Sequence, residues 1–238
     1  MLWAESKDGF RWQAAPNFDF GRIADRYDKW YSTPCGFVYD RLEKKAIDRL
    51  LPNIDDGSRF LEVGCGTGHW SEYFSNRGFE VTGIDVSKEM IEVAKKKHIA
   101  NSQFQVADGE NLPFADESFD SAAAITTLEF TANPEKMISE MIRCVKKPGG
   151  KLIVGVLNAL CSYNQKWKNK SHSVYSSAKL FSPEQVKELL EPFGRPQILV
   201  VGFIPQRSWL LWLSPLYEFI GHLISSRRGA FIAARIEL

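Results

Sequence analysis

The sequence lacks the features that mark disulfide-bonded, zinc-binding and secreted proteins. It has four cysteines in 238 residues, at positions 35, 65, 144 and 161, and no C-x-x-C pair. Cysteines scattered in this way indicate reduced thiols rather than a disulfide framework or a zinc site. The first twelve residues mix charged and aromatic side chains and contain no apolar secretory segment. We therefore predict a cytoplasmic protein that binds no metal.

A strong charge of either sign is also missing. The chain has 30 Lys and Arg against 29 Asp and Glu, a formal net charge of +1. No strong overall field therefore draws it to nucleic acid or to an anionic membrane, and we predict no nucleic-acid partner. Its 44% hydrophobic and 25% charged residues are ordinary for a globular protein. The length suits one large domain with a substantial core.

The most informative segment is SRFLEVGCGTG at residues 58–68. Its short apolar run predicts a buried strand, and Gly64, Gly66 and Gly68 follow at once. Glycines here allow backbone amides to approach a ligand that a Cβ atom would keep away. A helical pattern begins near His69. This order predicts the strand–turn–helix crevice in which open α/β sheets bind nucleotides.

Acidic residues indicate which nucleotide is bound. The pattern G-x-G-x-G, with His69 at the next position, departs from the G-x-G-x-x-G of dinucleotide binding and counts against NAD. Glu62 lies inside the first predicted strand, while Asp85 and Asp108 follow the second and third. With the later segments ESFDSAAAITTLEF and KKPGG, this order resembles the class I S-adenosylmethionine (SAM)-dependent methyltransferases. More narrowly, it resembles the group that includes the ubiquinone- and menaquinone-biosynthesis methyltransferases, over roughly residues 18–158.

The resemblance implies a fold and a division of the chain. The fold is α/β, a Rossmann-like and mostly parallel seven-stranded sheet of order 3-2-1-4-5-7-6, with helices on both faces and a small helical cap. Residues 1–50 would form a leader and a helical lid. Residues 51–238 would form the methyltransferase domain, with an apolar helical insertion at about 206–228.

The resemblance also implies which residues bind SAM at the first two strands. Gly64, Cys65 and Gly66 would pass under its methionine part, and Glu62 would orient its ammonium group. Asp85 would accept both ribose hydroxyls in a charge-assisted bidentate bond. Each assignment has an alternative. The glycines could form a turn that binds no ligand, Glu62 could be a solvated carboxylate, and Asp85 could cap a helix.

The remaining expected SAM contacts lie at the next strands. Val86 and Met90 would form one face of the adenine slot, although a methionine here also suits an ordinary core. Asp108 would accept the adenine amino group and Gly109 would give backbone access, unless the two only form a turn. Thr126, at the end of the fourth strand, would lie beside the sulfonium.

The candidates for catalytic roles are Glu129, Tyr27 and Tyr31. Glu129 follows the fourth strand and could bind substrate or assist deprotonation, or could be a surface charge. Tyr27 and Tyr31 are one helical turn apart in a segment that resembles the lid of related methyltransferases. Their rings could attract a cation or could only pack the lid onto the sheet. His69 and His172 are weaker candidates for a base.

The segment 206–228 departs from the minimal fold. Its apolar residues, among them Trp209, Trp212 and Leu223, recur at helical spacing, and Pro215 predicts a break between two short helices. The apolar run is too short and too interrupted to span a bilayer. It could cap an apolar substrate pocket, form a homodimer interface, or lie on a membrane surface near a lipophilic substrate.

We therefore predict an enzyme that transfers a methyl group from SAM to a small or medium, partly apolar acceptor by in-line displacement, yielding S-adenosylhomocysteine. The acceptor atom is not specified by the sequence. A catalytically silent SAM-binding regulatory or partner protein is the main alternative. A short-chain NAD enzyme would need a tyrosine and a lysine four residues apart, and Tyr163 is followed at 167 by tryptophan.

Overall fold

A single seven-stranded sheet organises the molecule. The structure is a computed structural model that describes residues 20–51, 57–169, 174–205 and 207–238. The sheet order is β3-β2-β1-β4-β5-β7-β6, and only β7 runs antiparallel to its neighbours. The strands are β1 (Arg59–Val63), β2 (Glu80–Asp85), β3 (Ser102–Val106), β4 (Ser121–Ile125), β5 (Lys151–Leu157), β6 (Gln197–Val201) and β7 (Phe231–Glu237). The predicted order and strand directions are confirmed.

Eight α-helices and several 3-10 turns surround the sheet in the described ranges. The helices are α1 (Ala24–Tyr27), α2 (Pro34–Leu50), α3 (His69–Ser75), α4 (Lys88–Lys96), α5 (Pro134–Cys144), α6 (Ser162–Lys168), α7 (Pro183–Leu190) and α8 (Ser214–Leu223). The 3-10 turns that matter below are Phe20–Ile23, Asp28–Trp30, Leu128–Phe130 and Ser208–Leu213. The expected leader, residues 1–17, and His172 lie outside the described residues.

Local sequence signals fix where the helices start. Ser87 Oγ accepts from Met90 N at the start of α4, and Ser182 forms a capping box with Gln185 at the start of α7. Each cap satisfies backbone N–H groups that have no partner within the helix. The start of α4 therefore lies directly beside Asp85, at the carboxyl end of β2.

The core has two layers, one on each face of the sheet. Leu61 and Val63 of β1 face the layer that contains α5 and α7, whereas Phe60 faces the layer that contains α2 and α3. Successive strand residues point to opposite faces, so Glu62 shares the α3 side with Phe60. This alternation brings a charged side chain into an otherwise apolar layer.

Two elements differ from the sequence prediction. The sequence placed Thr126 at the end of the fourth strand, but β4 ends at Ile125 because Thr126 takes a φ of 51°. Residues 158–181 show no helical period, yet α6 forms within them. The side-chain amide of Asn164 donates to Asn158 O and Ala230 O. Hydrogen bonds therefore hold α6 in place, and an apolar stripe is not needed.

The segment after β6 forms two short helical pieces that meet at Ser214 and Pro215, as predicted. It lies beside α2. Among the described residues, no helix has the length and apolar composition needed to cross a bilayer.

Candidate active site

The turn after β1 forms the floor of a cavity at the carboxyl ends of the strands. Gly64, Gly66 and Gly68 have φ values of 75°, 52° and 81°, a region that favours glycine. A Cβ atom at Gly64 would lie 2.2 Å from Thr127 Cγ2, whereas a Cβ at Gly66 would meet no atom within 4 Å. Gly66 therefore leaves open space for a ligand above the turn.

Asp85 fixes this turn from the end of β2. Its Oδ2 accepts from Gly66 N at 2.9 Å, and its Oδ1 accepts from Ser87 N at 2.8 Å. Burial raises the pKa of the carboxyl group, and these backbone bonds partly offset the effect. Each oxygen keeps a further lone pair, so Asp85 can hold the turn and still accept hydrogen bonds from a ligand.

Glu62 is a buried carboxyl group at the back of the cavity. Its side chain is only 2% exposed, and Oε2 accepts from Ser71 Oγ at 2.5 Å. Burial raises its pKa to about 8 because a low-dielectric site disfavours the charged form. A cation bound beside it would reverse that effect and favour the carboxylate.

An apolar slot continues the cavity beyond Asp85. Val86 is 77% exposed at its entrance, while Met90 is buried on α4. Asp108 is exposed, with Oδ1 accepting from Glu110 N at 2.9 Å. A Cβ atom at Gly109 would lie 2.7 Å from Val63 Cγ1. The slot thus has an apolar side and the exposed carboxyl group of Asp108 at its rim.

Thr126 ends β4 in a conformation that β-branched residues rarely adopt. Its φ is 51°, and its backbone N–H donates to Gly155 O at 2.7 Å. Backbone strain of this kind is concentrated at functional sites. The turn directs Thr126 and Thr127 into the cavity wall.

Residues 20–31, which we call the lid, contribute Phe20, Tyr27 and Tyr31 to the wall of the cavity. Phe20 packs edge-on against Phe130 at 4.8 Å, and the rings of Tyr27 and Tyr31 lie 6.2 Å apart. Burial raises the pKa of Tyr27 to about 12, so its hydroxyl stays protonated.

A polar latch ties the lid to the glycine turn. Asp28 Oδ1 accepts from Thr67 Oγ1 at 2.6 Å, and Asp28 Oδ2 pairs with Lys97 Nζ at 2.6 Å. The lid is therefore held by contacts on both sides of the cavity mouth, Phe130 on one and Thr67 on the other.

Behind the lid, His69 forms a polar cluster with two side chains that the sequence analysis missed, Asp40 and Lys44. His69 Nε2 is 2.7 Å from Asp40 Oδ1, and Lys44 Nζ donates to Asp40 Oδ2 at 2.8 Å. Tyr31 stacks on the His69 ring, with 3.6 Å between centroids. These contacts, chiefly the hydrogen bonds from His69 and Lys44, offset burial and lower the pKa of Asp40. The only sequence signal was the spacing of Asp40 and Lys44, one turn apart on α2.

The cavity has a volume of about 280 Å³ and gathers nearly all the expected site residues. Every expected SAM contact lines it: Glu62, Gly64, Cys65, Gly66, Asp85, Val86, Met90, Asp108, Gly109 and Thr126. Tyr27, Tyr31 and His69 line it too.

Glu129 does not line this cavity, although the sequence analysis considered it for binding substrate or assisting deprotonation. It is fully buried in the 3-10 turn after β4, and its Oε1 accepts from Leu157 N at 2.6 Å. The turn directs the side chain towards β5. Burial raises its pKa to about 8.

Comparison with known proteins identifies the domain. Residues 61–154 match the methyltransferase domain family. An uncharacterised protein of Methanocaldococcus jannaschii is 36% identical over 177 residues, which cover 74% of this chain and 80% of that protein. A demethylmenaquinone methyltransferase of Tropheryma whipplei is 33% identical over 137 residues. That match covers 57% of this chain but little more than half, 56%, of the relative.

A solved structure extends the likeness to nearly the whole chain. It is a SAM-dependent methyltransferase of Thermotoga maritima, described as a possible histamine N-methyltransferase. The two share 26% identity and a TM-score of 0.71, over 92% of this chain and 97% of that one. Sequence, topology and the crevice at the ends of β1, β2 and β4 agree, and the chain belongs to the class I SAM-dependent methyltransferases.

Proposed function

We propose that this enzyme methylates a small, partly apolar acceptor that carries no anionic group. The observation that supports this is the charge of the cavity wall. Four carboxyl side chains line it (Glu62, Asp85, Asp108 and Glu110), and its described lining contains no lysine or arginine. SAM carries an ammonium and a sulfonium that offset its own carboxylate, whereas a carboxylate or phosphate on the acceptor would find no lysine or arginine in the described lining to pair with.

We propose that SAM lies across the glycine turn, with Asp85 accepting its ribose hydroxyls and Glu62 facing its ammonium group. The open space above Gly66 and the spare lone pairs of Asp85 support this placement. Val86, Met90, Asp108 and Gly109 would then surround the adenine. Thr126 and the turn at Gly64 to Gly66 would border the methionine part.

SAM supplies an activated methyl group on a positively charged sulfur. The side chains of this chain position the acceptor and exclude water. Phe20 and Phe130 close one side of the cavity, and we place the acceptor against the faces of Tyr27 and Tyr31. Aromatic faces attract cations, and alignment of the two reactants can lower the barrier by about 7–11 kcal/mol.

We place His69 as the group that takes the proton from a hydroxyl or amine acceptor. His69 Nε2 lies 2.7 Å from Asp40 Oδ1 and 3.1 Å from Lys44 Nζ, so Nδ1 is the ring nitrogen that these two side chains do not engage. Asp40 and Tyr31 hold the ring in place. Glu129 would then have a structural role, because its carboxyl group accepts a hydrogen bond from the backbone of Leu157.

The test is a methyl-release assay with SAM and a panel of acceptors: hydroquinones, amines, thiols, carboxylic acids and acyl thioesters. We expect turnover only with acceptors that are neutral or cationic. His69→Asn should lower kcat while SAM affinity stays unchanged, and Glu188→Gln, an exposed change far from the cavity, should have no effect. Fastest turnover on a carboxylate would contradict the proposal.

A further inference from the structure

Helix α8 directs its polar side chains towards the protein. The carboxylate of Glu218 accepts from Gly202 N at 3.1 Å and from Phe203 N at 2.8 Å. Ser214 and Gly221 are the buried positions of the helix. A Cβ atom at Gly221 would lie 2.5 Å from the Phe203 ring, so glycine allows this close approach. The inward side of α8 is therefore small, polar and closely fitted.

The outward side of the same segment is large and apolar. We call it the apolar face; it consists of Trp209, Trp212, Leu216, Phe219, Ile220, Leu223 and Ile224, all exposed. Trp212 is 73% exposed and Leu223 is 70% exposed. A surface helix of a globular protein normally buries its apolar stripe, and a contiguous exposed patch of this kind marks an interaction site.

Basic side chains surround the apolar face. A groove of about 830 Å³ separates it from α2, and Arg41, Lys45 and Arg49 line the α2 side at one-turn spacing. Arg207 and Arg228 lie exposed at its two ends. Within the described ranges of the chain, none of these five side chains forms an ion pair. Each is available to an anionic partner.

We propose that the apolar face docks on a membrane surface that contains anionic lipids. The tryptophans and aliphatic side chains would enter the boundary between headgroups and acyl chains, and the basic side chains would meet the headgroup phosphates. This inference does not depend on the identity of the acceptor.

Charge complementarity favours lipid over two other occupants. A second copy of this chain, related by a two-fold axis through the face, would bring like-charged Arg and Lys side chains together. A nucleic acid would match the basic side chains but would leave the apolar face in water. An anionic bilayer satisfies both parts at once.

The test is flotation of the full chain with two kinds of vesicle, phosphatidylcholine alone and phosphatidylcholine with about one third phosphatidylglycerol. We expect about ten-fold stronger binding to the anionic vesicles, with salt weakening it. Trp212→Glu with Leu223→Glu should abolish binding, and Arg41→Glu with Lys45→Glu should weaken it about ten-fold. As a control with the same charge change, Lys88→Glu with Lys187→Glu should bind like the wild type.

SAM affinity and the thermal midpoint of each variant show whether it has folded. Equal binding to both vesicle types, or equal loss in the control, would overturn the proposal. A monomer that binds neither vesicle would also overturn it. The proposal would likewise be overturned if the protein formed a dimer and Trp212→Glu dissociated it, because the apolar face would then bind a second copy of the chain.

Discussion

Among single residues, Asp85 is the most sensitive test of the proposed SAM site. In Asp85→Ala the ribose would lose its acceptor and Gly66 N would lose its partner. A hydrogen bond to a charged group contributes about 1.5–3 kcal/mol, so we expect the Kd for SAM to rise about ten- to hundred-fold. Calorimetry measures this, with the exposed change Glu188→Ala as the matched control. Wild-type affinity in a folded Asp85→Ala protein would remove Asp85 from the site.

Thr126 allows a second test at the same scale. Its φ of 51° costs a non-glycine residue about 1–2 kcal/mol. The Thr126→Gly protein should therefore be more stable than Thr126→Ala by about 1 kcal/mol. Ala124 lies two residues earlier, with both neighbours in β4, and there Ala→Gly should instead lower stability by a similar amount. Urea unfolding compares the four proteins, and the same sign of change at both positions would contradict the argument.

Many of the site residues that the sequence predicted lie at or shortly after the carboxyl ends of strands. Parallel strands bring their carboxyl ends to one edge of the sheet, so the positions of Gly66, Asp85 and Asp108 follow from chain order. Asp40 meets His69 across 29 residues of sequence, and its pattern on α2 is that of an ordinary surface pair. The inward direction of Glu129 depends on a 3-10 turn that no residue pattern marks.

At the scale of elements, the lid is the part whose motion should control access. Asp28 joins it to Thr67 and to Lys97. These contacts are partly exposed, and such pairs contribute about 0.2–1 kcal/mol. We therefore expect Asp28→Ala to speed SAM dissociation by only a few-fold, as measured by stopped-flow fluorescence of the lid and cavity aromatics. Asp25→Ala, an exposed change on the same lid, should leave the rate unchanged; a similar change in both variants would contradict the role of the latch.

Elements differ in how fully the sequence predicts them. The caps at Ser87 and Ser182 are local signals, and the helices begin where those signals stand. Helix α6 has no such signal, since hydrogen bonds from Asn164 to distant backbone groups hold it. Spacing alone identified the helical pieces at 208–223. The spacing could not show that their large side chains face outward, because apolar residues recur with the same helical period whether they face the core or the solvent.

For the whole molecule, buried acids set how stability depends on pH. Burial raises the pKa of Glu43, Glu62 and Glu129 to about 8, from an ordinary value of 4.5. Between these values the folded state binds protons that the unfolded state has released, so stability falls as pH rises from about 5 to 8. Below about pH 4.5 the three carboxyl groups are protonated in the folded and the unfolded state alike, so they cause no loss of stability there. We expect the thermal midpoint of the SAM-free enzyme to fall across this window.

Glu129→Gln provides the control for this prediction, because an amide oxygen can still accept from Leu157 N but cannot ionise. Its thermal midpoint should fall less steeply with pH than that of the wild type. The exposed change Glu188→Gln should keep the wild-type slope. A midpoint that rises from pH 5 to 8, or an unchanged slope in Glu129→Gln, would show that these groups are ionised in the folded protein.

The position of β7 between β5 and β6 has a consequence for biosynthesis. Strand β6 pairs only with β7, so its backbone groups have no partner in the sheet until residues 231–237 have been made. A ribosome adds about 5–20 residues per second, so β6 waits roughly 2–7 s after its own synthesis. During that interval the nascent chain exposes β6 together with the tryptophan-rich segment that follows it. Chaperones that shield apolar segments would act on the nascent chain during this interval.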